Sequence, residues 1–106
     1  MPIRVAQYIG ANERNRFDDW FQRLEPQTRA RIQTRLDRIE LGGFGDYRSV
    51  GRGVFEFRIH FGPGYRVYFG RDGDTLVVLL GGGSKRRQAR DVARAQVDWK
   101  AYKREK

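Results

Sequence analysis

From residue 54 to residue 61 the chain alternates strictly: Phe55, Phe57, Ile59 and Phe61 point one way, and Val54, Glu56, Arg58 and His60 the other. A period of two predicts a strand with one face on a core and the other presenting arginine and histidine. Gly62-Pro63-Gly64 follows, a turn that only glycine and proline make easily. The chain then returns as Tyr65 to Phe69, with Tyr65, Val67 and Phe69 opposite Arg66 and Tyr68. After a second turn at Asp72-Gly73-Asp74, residues Thr75 to Leu80 are almost wholly apolar, which predicts a strand covered on both faces. A three-stranded antiparallel meander is therefore expected. Burying the four large side chains of its first strand would contribute roughly 6–12 kcal/mol gross, at about 1.5–3 kcal/mol each. On that scale Trp20, Phe21, Phe55, Phe57 and Phe61 are core residues rather than stacking platforms.

Outside the meander the period is helical. Phe17, Trp20, Phe21 and Leu24 fall at i, i+3, i+4 and i+7, one apolar face of a helix for which Asn12 is the expected cap. Pro26 ends it and suits the first turn of a second helix over about 27–41. That helix carries Ile32, Leu36 and Ile39 on one stripe among Arg29, Arg31, Arg35 and Arg38, and Gly42-Gly43 stops it. The short connection makes the pair an antiparallel helical hairpin. Ile3 to Ile9, rich in β-branched and aromatic side chains, is an N-terminal strand. Phe44 to Gly53, glycine-rich and holding Arg48 and Arg52, is expected as a surface loop. A last helix, about 88–103, gathers Val92, Ala95, Trp99 and Tyr102 on an apolar stripe and sets Arg87, Arg90 and Arg94 nearly opposite. The expected class is α+β, one domain over residues 1–106.

Charge changes the picture most at the C-terminal end. Twenty-two Lys and Arg stand against 13 Asp and Glu, a net +9, and nine basic with three acidic side chains lie between Ser84 and Lys106. Such an excess points to an anionic partner, whether nucleic acid, a ribosome or an acidic protein; the plainer alternative is a solubilising surface. The absence of cysteine removes disulfides and thiolate metal sites, and no metal or other cofactor is expected. No secretory or membrane-spanning run is present, so the cytoplasm is the expected compartment.

The run GDYRSVGRGVFEFRIHFGPGYRVYF, then DGDTLVVLLGGGSKRRQARDVARA and the WKAYK tail, resembles the addiction-module killer proteins, small HigB/RelE-like toxins of the RelE/ParE superfamily. The resemblance implies a RelE-like fold: N-terminal strand, helical hairpin, antiparallel meander and C-terminal helix. It further implies the toxin of a type II toxin–antitoxin module, held by a cognate antitoxin, often a helix-turn-helix protein encoded nearby. The toxin would be a monomer when free and part of a hetero-oligomer when neutralised. RelE-like members enter the ribosome and cut mRNA by metal-free attack of a 2′-hydroxyl on the adjacent phosphate. ParE-like members share the fold but poison DNA gyrase, and this remains the alternative.

Carried over by position, Arg66 matches the arginine that holds the scissile phosphate, and Arg58 the basic side chain of the preceding strand. Lys85 or Arg86 matches the cation that steadies the transition state. Independently, alternation on adjacent antiparallel strands can aim Arg58 and Arg66 at one face. Arg48, Arg52, Arg86, Arg87, Arg90 and Arg94 are the expected RNA or ribosome contacts, Arg87, Arg90 and Arg94 being equally suited to an antitoxin or a solvated face. This chain departs from the family where it lacks a tyrosine early in the last helix, and where Ser84 stands in place of an acidic residue. A general base is then missing. His60, on the strand face of Arg58, would suit that role in its neutral form, or is simply an exposed strand residue. Glu56 is a second candidate, or the salt-bridge partner of a nearby arginine.

Overall fold

The computed structural model describes residues 2–106. Its elements run β1 (Arg4–Gln7), α1 (Arg16–Phe21), α2 (Pro26–Glu40), β2 (Tyr47–Gly51), β3 (Val54–Ile59), β4 (Tyr65–Asp72), β5 (Leu76–Ser84) and α3 (Gln88–Glu105), with a 3-10 turn at Lys85–Arg87 leading into α3. The strands form one five-stranded sheet in the order β1-β5-β4-β3-β2. Only the β1–β5 pair is parallel. Among the described residues no helix is long and apolar enough to cross a membrane.

The α+β class is as expected, but the meander is part of a larger sheet. The segment expected to be a surface loop contains β2, which pairs with β3 so that Tyr47 lies opposite Phe57 and Arg48 opposite Glu56. Its glycines are the turn and not a loop: Gly51, Arg52 and Gly53 all take positive φ (95°, 55° and 82°), closing a tight β2–β3 hairpin. A second correction concerns α1, which is six residues long and capped by Asn15 rather than Asn12. The Asn15 side chain accepts the Asp18 N–H at 3.0 Å. Residues 10–14 are used by a turn instead, in which the Gly10 N–H donates to the Arg14 carbonyl and the Glu13 N–H to the Gly10 carbonyl. In place of the expected helical hairpin, a six-residue α1 lies chiefly against β5 and is followed by a fifteen-residue α2.

Two apolar layers hold the sheet. On one face Phe17, Ile32, Leu36 and Ile39 from α1 and α2 pack on Phe57, Ile59, Val67, Phe69, Val77 and Leu79. On the other, Ala95 and Trp99 of α3 pack on Val54, Tyr68, Val78 and Leu80. β5 thus sends alternate side chains into both layers, as a continuous apolar strand requires. Trp99 can lie flat on the sheet because Gly70 has no side chain, since a Cβ there would overlap its ring. α3 covers only part of its face. Glu56, Arg58 and Arg66 share that face and emerge beside the N-terminal end of the helix. The face expected to present arginine and histidine is therefore divided, buried under α3 at Val54 and Tyr68 and polar beyond.

Candidate phosphate-binding cluster

Strand register brings the principal side chains together. Arg58 and Arg66 are direct cross-strand partners, Glu56 lies two residues from Arg58 on the same face, and Arg48 is opposite Glu56. Arg66 is also paired with Gly83, two residues before Lys85, so the β5 end and its basic turn rise from the same end of the sheet.

Glu56 is the hub. It is 1% exposed, and its Oε1 accepts from Arg48 Nε at 2.7 Å. Arg58 Nε stands 3.8 Å from Oε1 and Arg66 Nε 3.7 Å from Oε2. Gln88, in the first turn of α3, donates to both carboxylate oxygens at 3.3–3.4 Å. A buried carboxylate among three guanidinium groups offsets their mutual repulsion and fixes where they stand. The three arginines differ in reach: the side chain of Arg66 is 10% exposed, against 44% for Arg58 and 56% for Arg48. Arg66 Nε has no hydrogen-bond partner although Glu56 is within ion-pair distance; the two groups are close without being aligned. Tyr68, opposite Glu56, is fully buried, and burial, reinforced by the charge on Glu56, pushes its phenol far up. It stays protonated at neutral pH and is not a base.

The other expected residues are scattered around this cluster. His60 lies just beyond β3, exposed, in a cavity of about 510 Å³ whose wall includes Arg48, Glu56 and Arg58 from the sheet and Arg35 and Arg38 from α2. Lys85 and Arg86 are exposed on the 3-10 turn. Arg87 and Arg94 face a different groove, between α1 and α3, and Arg94 is tied to Asp98 at 3.2 Å. Arg90 is exposed, and no ion pair to Arg86 or Arg90 is formed among the described residues. Arg52 sits at the tip of the β2–β3 hairpin, at the opposite end of β3 from Arg58. The expected binding arginines therefore do not make a single patch. Among the described residues no group of three His, Asp or Glu could hold a metal ion.

Arg35 is the residue that sequence reasoning passed over. Its guanidinium donates to the carbonyls of Arg58 (2.8 Å), Asp46 (2.7 Å) and Phe44 (3.3 Å) and lies 4.8 Å from the centre of the Phe57 ring. Burial lowers its pKa. It pins α2 to the end of β3 that carries Arg58. The available signal was its position: Ile32, Arg35 and Ile39 fall at i, i+3 and i+7, which puts Arg35 on the border of the apolar stripe.

A small basic α+β chain with a carboxylate-organised arginine cluster on its sheet defines the class. The chain belongs to the family described as Phage derived protein Gp49-like (DUF891), which matches residues 19–106 and so takes in every residue of the cluster. This is a toxin-like family of toxin–antitoxin systems, and it implies an antitoxin as partner. The chain is also similar to an uncharacterized protein of Haemophilus influenzae, at 43% identity over 82 residues, covering 76% of this chain and 83% of that one.

Proposed function

We propose that this toxin-like protein is a ribosome-dependent mRNA endonuclease of the HigB/RelE-like kind. The observation that carries the reading is the register-paired Arg58 and Arg66 beside a buried Glu56, Arg58 half-exposed and Arg66 reaching solvent only at its edge. In the reaction a 2′-oxygen forms a bond to the adjacent phosphorus while the bond to the 5′-oxygen breaks. The products are a 2′,3′-cyclic phosphate and a 5′-hydroxyl. Arg66, the most sheltered of the three arginines, holds the phosphate as its negative charge grows, and Arg58 and Lys85 neutralise it from either side. His60 takes the 2′-hydroxyl proton in its neutral form, and a water molecule gives the departing 5′-oxygen the proton it needs. Glu56 does not compete for that role, since it is enclosed and committed to Arg48 and Gln88. It is a positioning residue. The partners are then mRNA, the ribosome and the antitoxin.

Induction in a bacterial host, with the ends of a reporter message mapped, tests the reading. New 5′ ends confined to translated message are expected. Intact message with arrested DNA replication would replace the reading with the ParE-like one, in which the same arginines serve as a surface that binds gyrase.

A further inference from the structure

β1 stops at Gln7 opposite Leu79, whereas β5 continues to Ser84. The last contact on that side is the Tyr8 N–H to the Leu79 carbonyl, after which the chain turns away through Gly10. From Gly81 to Ser84, β5 therefore has a neighbouring strand only on its β4 side. An open edge of this kind is a template for another strand. The opposite edge differs in where its irregularity falls: the β2 bulge between Ser49 and Gly51 lies within that edge and blunts it, whereas the extra residue of β5, Leu80, comes before the open stretch.

The open stretch of β5 is the floor of a groove of about 430 Å³. α1 forms one wall, with Trp20 laid against Gly82, and α3 the other, with the Asp91 carboxylate against Gly83. Arg14, Arg16 and Arg23 line it from the α1 side and Arg87 and Arg94 from the α3 side. Two carboxylates also face it, Asp19, which is 3.6 Å from Arg14, and Asp91. The rim is thus cationic, five arginines to two carboxylates. Arg16 and Arg94 also meet the buried Asp98 at 3.2 Å each, and Arg23 and Arg87 make no ion pair among the described residues. Tyr68 lines the groove as well, fully buried, with a hydroxyl that has no hydrogen-bond partner.

We propose that this groove binds an extended acidic polypeptide segment of a partner protein, added to the sheet as a sixth strand alongside Gly81–Ser84. Edge pairing asks for a backbone that alternates N–H and C=O, and a polypeptide supplies both. A ribose-phosphate backbone has the 2′-hydroxyl as its one donor and does not repeat that alternation. Acidic side chains on the added strand meet the arginines of both walls, and the chemistry is distinct from that of the Glu56 cluster on the far side of α3.

The test is an amide NMR titration of the full chain at low salt with three probes: a ten-residue alternating Glu/Val peptide, the matching Lys/Val peptide, and a single-stranded RNA decamer. The Glu/Val peptide is expected to shift the Gly81–Ser84 amide signals and slow their hydrogen exchange at least tenfold, the Lys/Val peptide to leave them unchanged, and the RNA to act elsewhere. A Cβ at Gly81 meets open space, so Gly81→Ala and Gly81→Glu both keep the fold. Gly81→Ala should retain peptide binding and Gly81→Glu weaken it at least tenfold. The proposal is overturned if the acidic peptide leaves these amides untouched, if both peptides act alike, if the RNA protects the edge instead, or if Gly81→Glu binds as well as the parent.

Discussion

The two basic clefts on either side of α3 are built on opposite plans. On the β3 side, a carboxylate with no exposure holds Arg48 and Gln88 by hydrogen bonds and gathers Arg58 and Arg66 at ion-pair distance, the buried Arg66 Nε being left without a hydrogen-bond partner. On the β5 side the polar groups are unfinished. The Tyr68 hydroxyl lacks a partner, and burial raises the Asp91 carboxyl above its usual range against the opposing effect of Arg87 and Arg90. Asp98 Oδ2 lies 3.2 Å from Arg16 Nε yet makes no hydrogen bond. The lesson is that similar charge can serve different ends. On the proposed reading, the gathered cluster stabilises charge that develops during a reaction, while the incomplete groove is completed by what binds to it.

Removing the hub is the strongest way to break this contrast. Glu56→Ala leaves three arginines facing one another, and breaking a buried pair costs about 3–5 kcal/mol. The low end, about 3 kcal/mol, is expected because Arg48 and Arg58 reach water. Urea unfolding should show the loss, with message cleavage falling in the same variant; unchanged stability would mean that the carboxylate organises nothing.

Arg66→Ala separates chemistry from architecture. It should keep the fold by circular dichroism while cleavage slows by about 10²–10³, or roughly 2.7–4 kcal/mol of barrier. Full activity in a folded variant removes Arg66 from the site. In the groove, Gly82→Ala drives a methyl into the Trp20 ring and should destabilise by about 1–3 kcal/mol, measured as a lower urea midpoint. An unshifted midpoint would show that Trp20 does not wall the groove.

The smallest effect concerns pH. The Asp91 carboxyl titrates above its unfolded value near 3.8, chiefly through burial, so the folded state holds that proton more tightly. Its ionised form then reduces stability above the folded pKa, and the reduction disappears below about 3.8. Asp91→Asn should accordingly be more stable than the parent at neutral pH, with the gap closing as pH falls. A gap that widens toward acid would reverse the assignment.

Much of this was legible in the chain. Alternation in β3 and β4 determined which residues share a face, and antiparallel return through Gly62-Pro63-Gly64 placed Arg58 beside Arg66. Helical spacing gave α2 nearly to its ends and the apolar stripe of α3. β2 was hidden because its glycines signal a break, and nothing local tells a glycine that ends a strand from one that turns a hairpin. The cap of α1 was misplaced because Asn12 and Asn15 are equally good caps, and the Gly10–Arg14 turn that selects between them depends on how the chain leaves β1. The central place of Glu56 and the reach of Arg35 across to β3 are long-range facts. They follow from how α2, β2 and α3 converge, which no periodicity encodes.

The central claim is that the Glu56-held arginines promote strand scission through a neighbouring 2′-hydroxyl. Its most direct test is to incubate the purified chain with a message, with and without translating ribosomes, and to identify the new ends. The account predicts fragments ending in a 2′,3′-cyclic phosphate that form only with ribosomes present and not with Arg66→Ala. A message left whole under both conditions, while the same preparation halts supercoiling by gyrase, would contradict it.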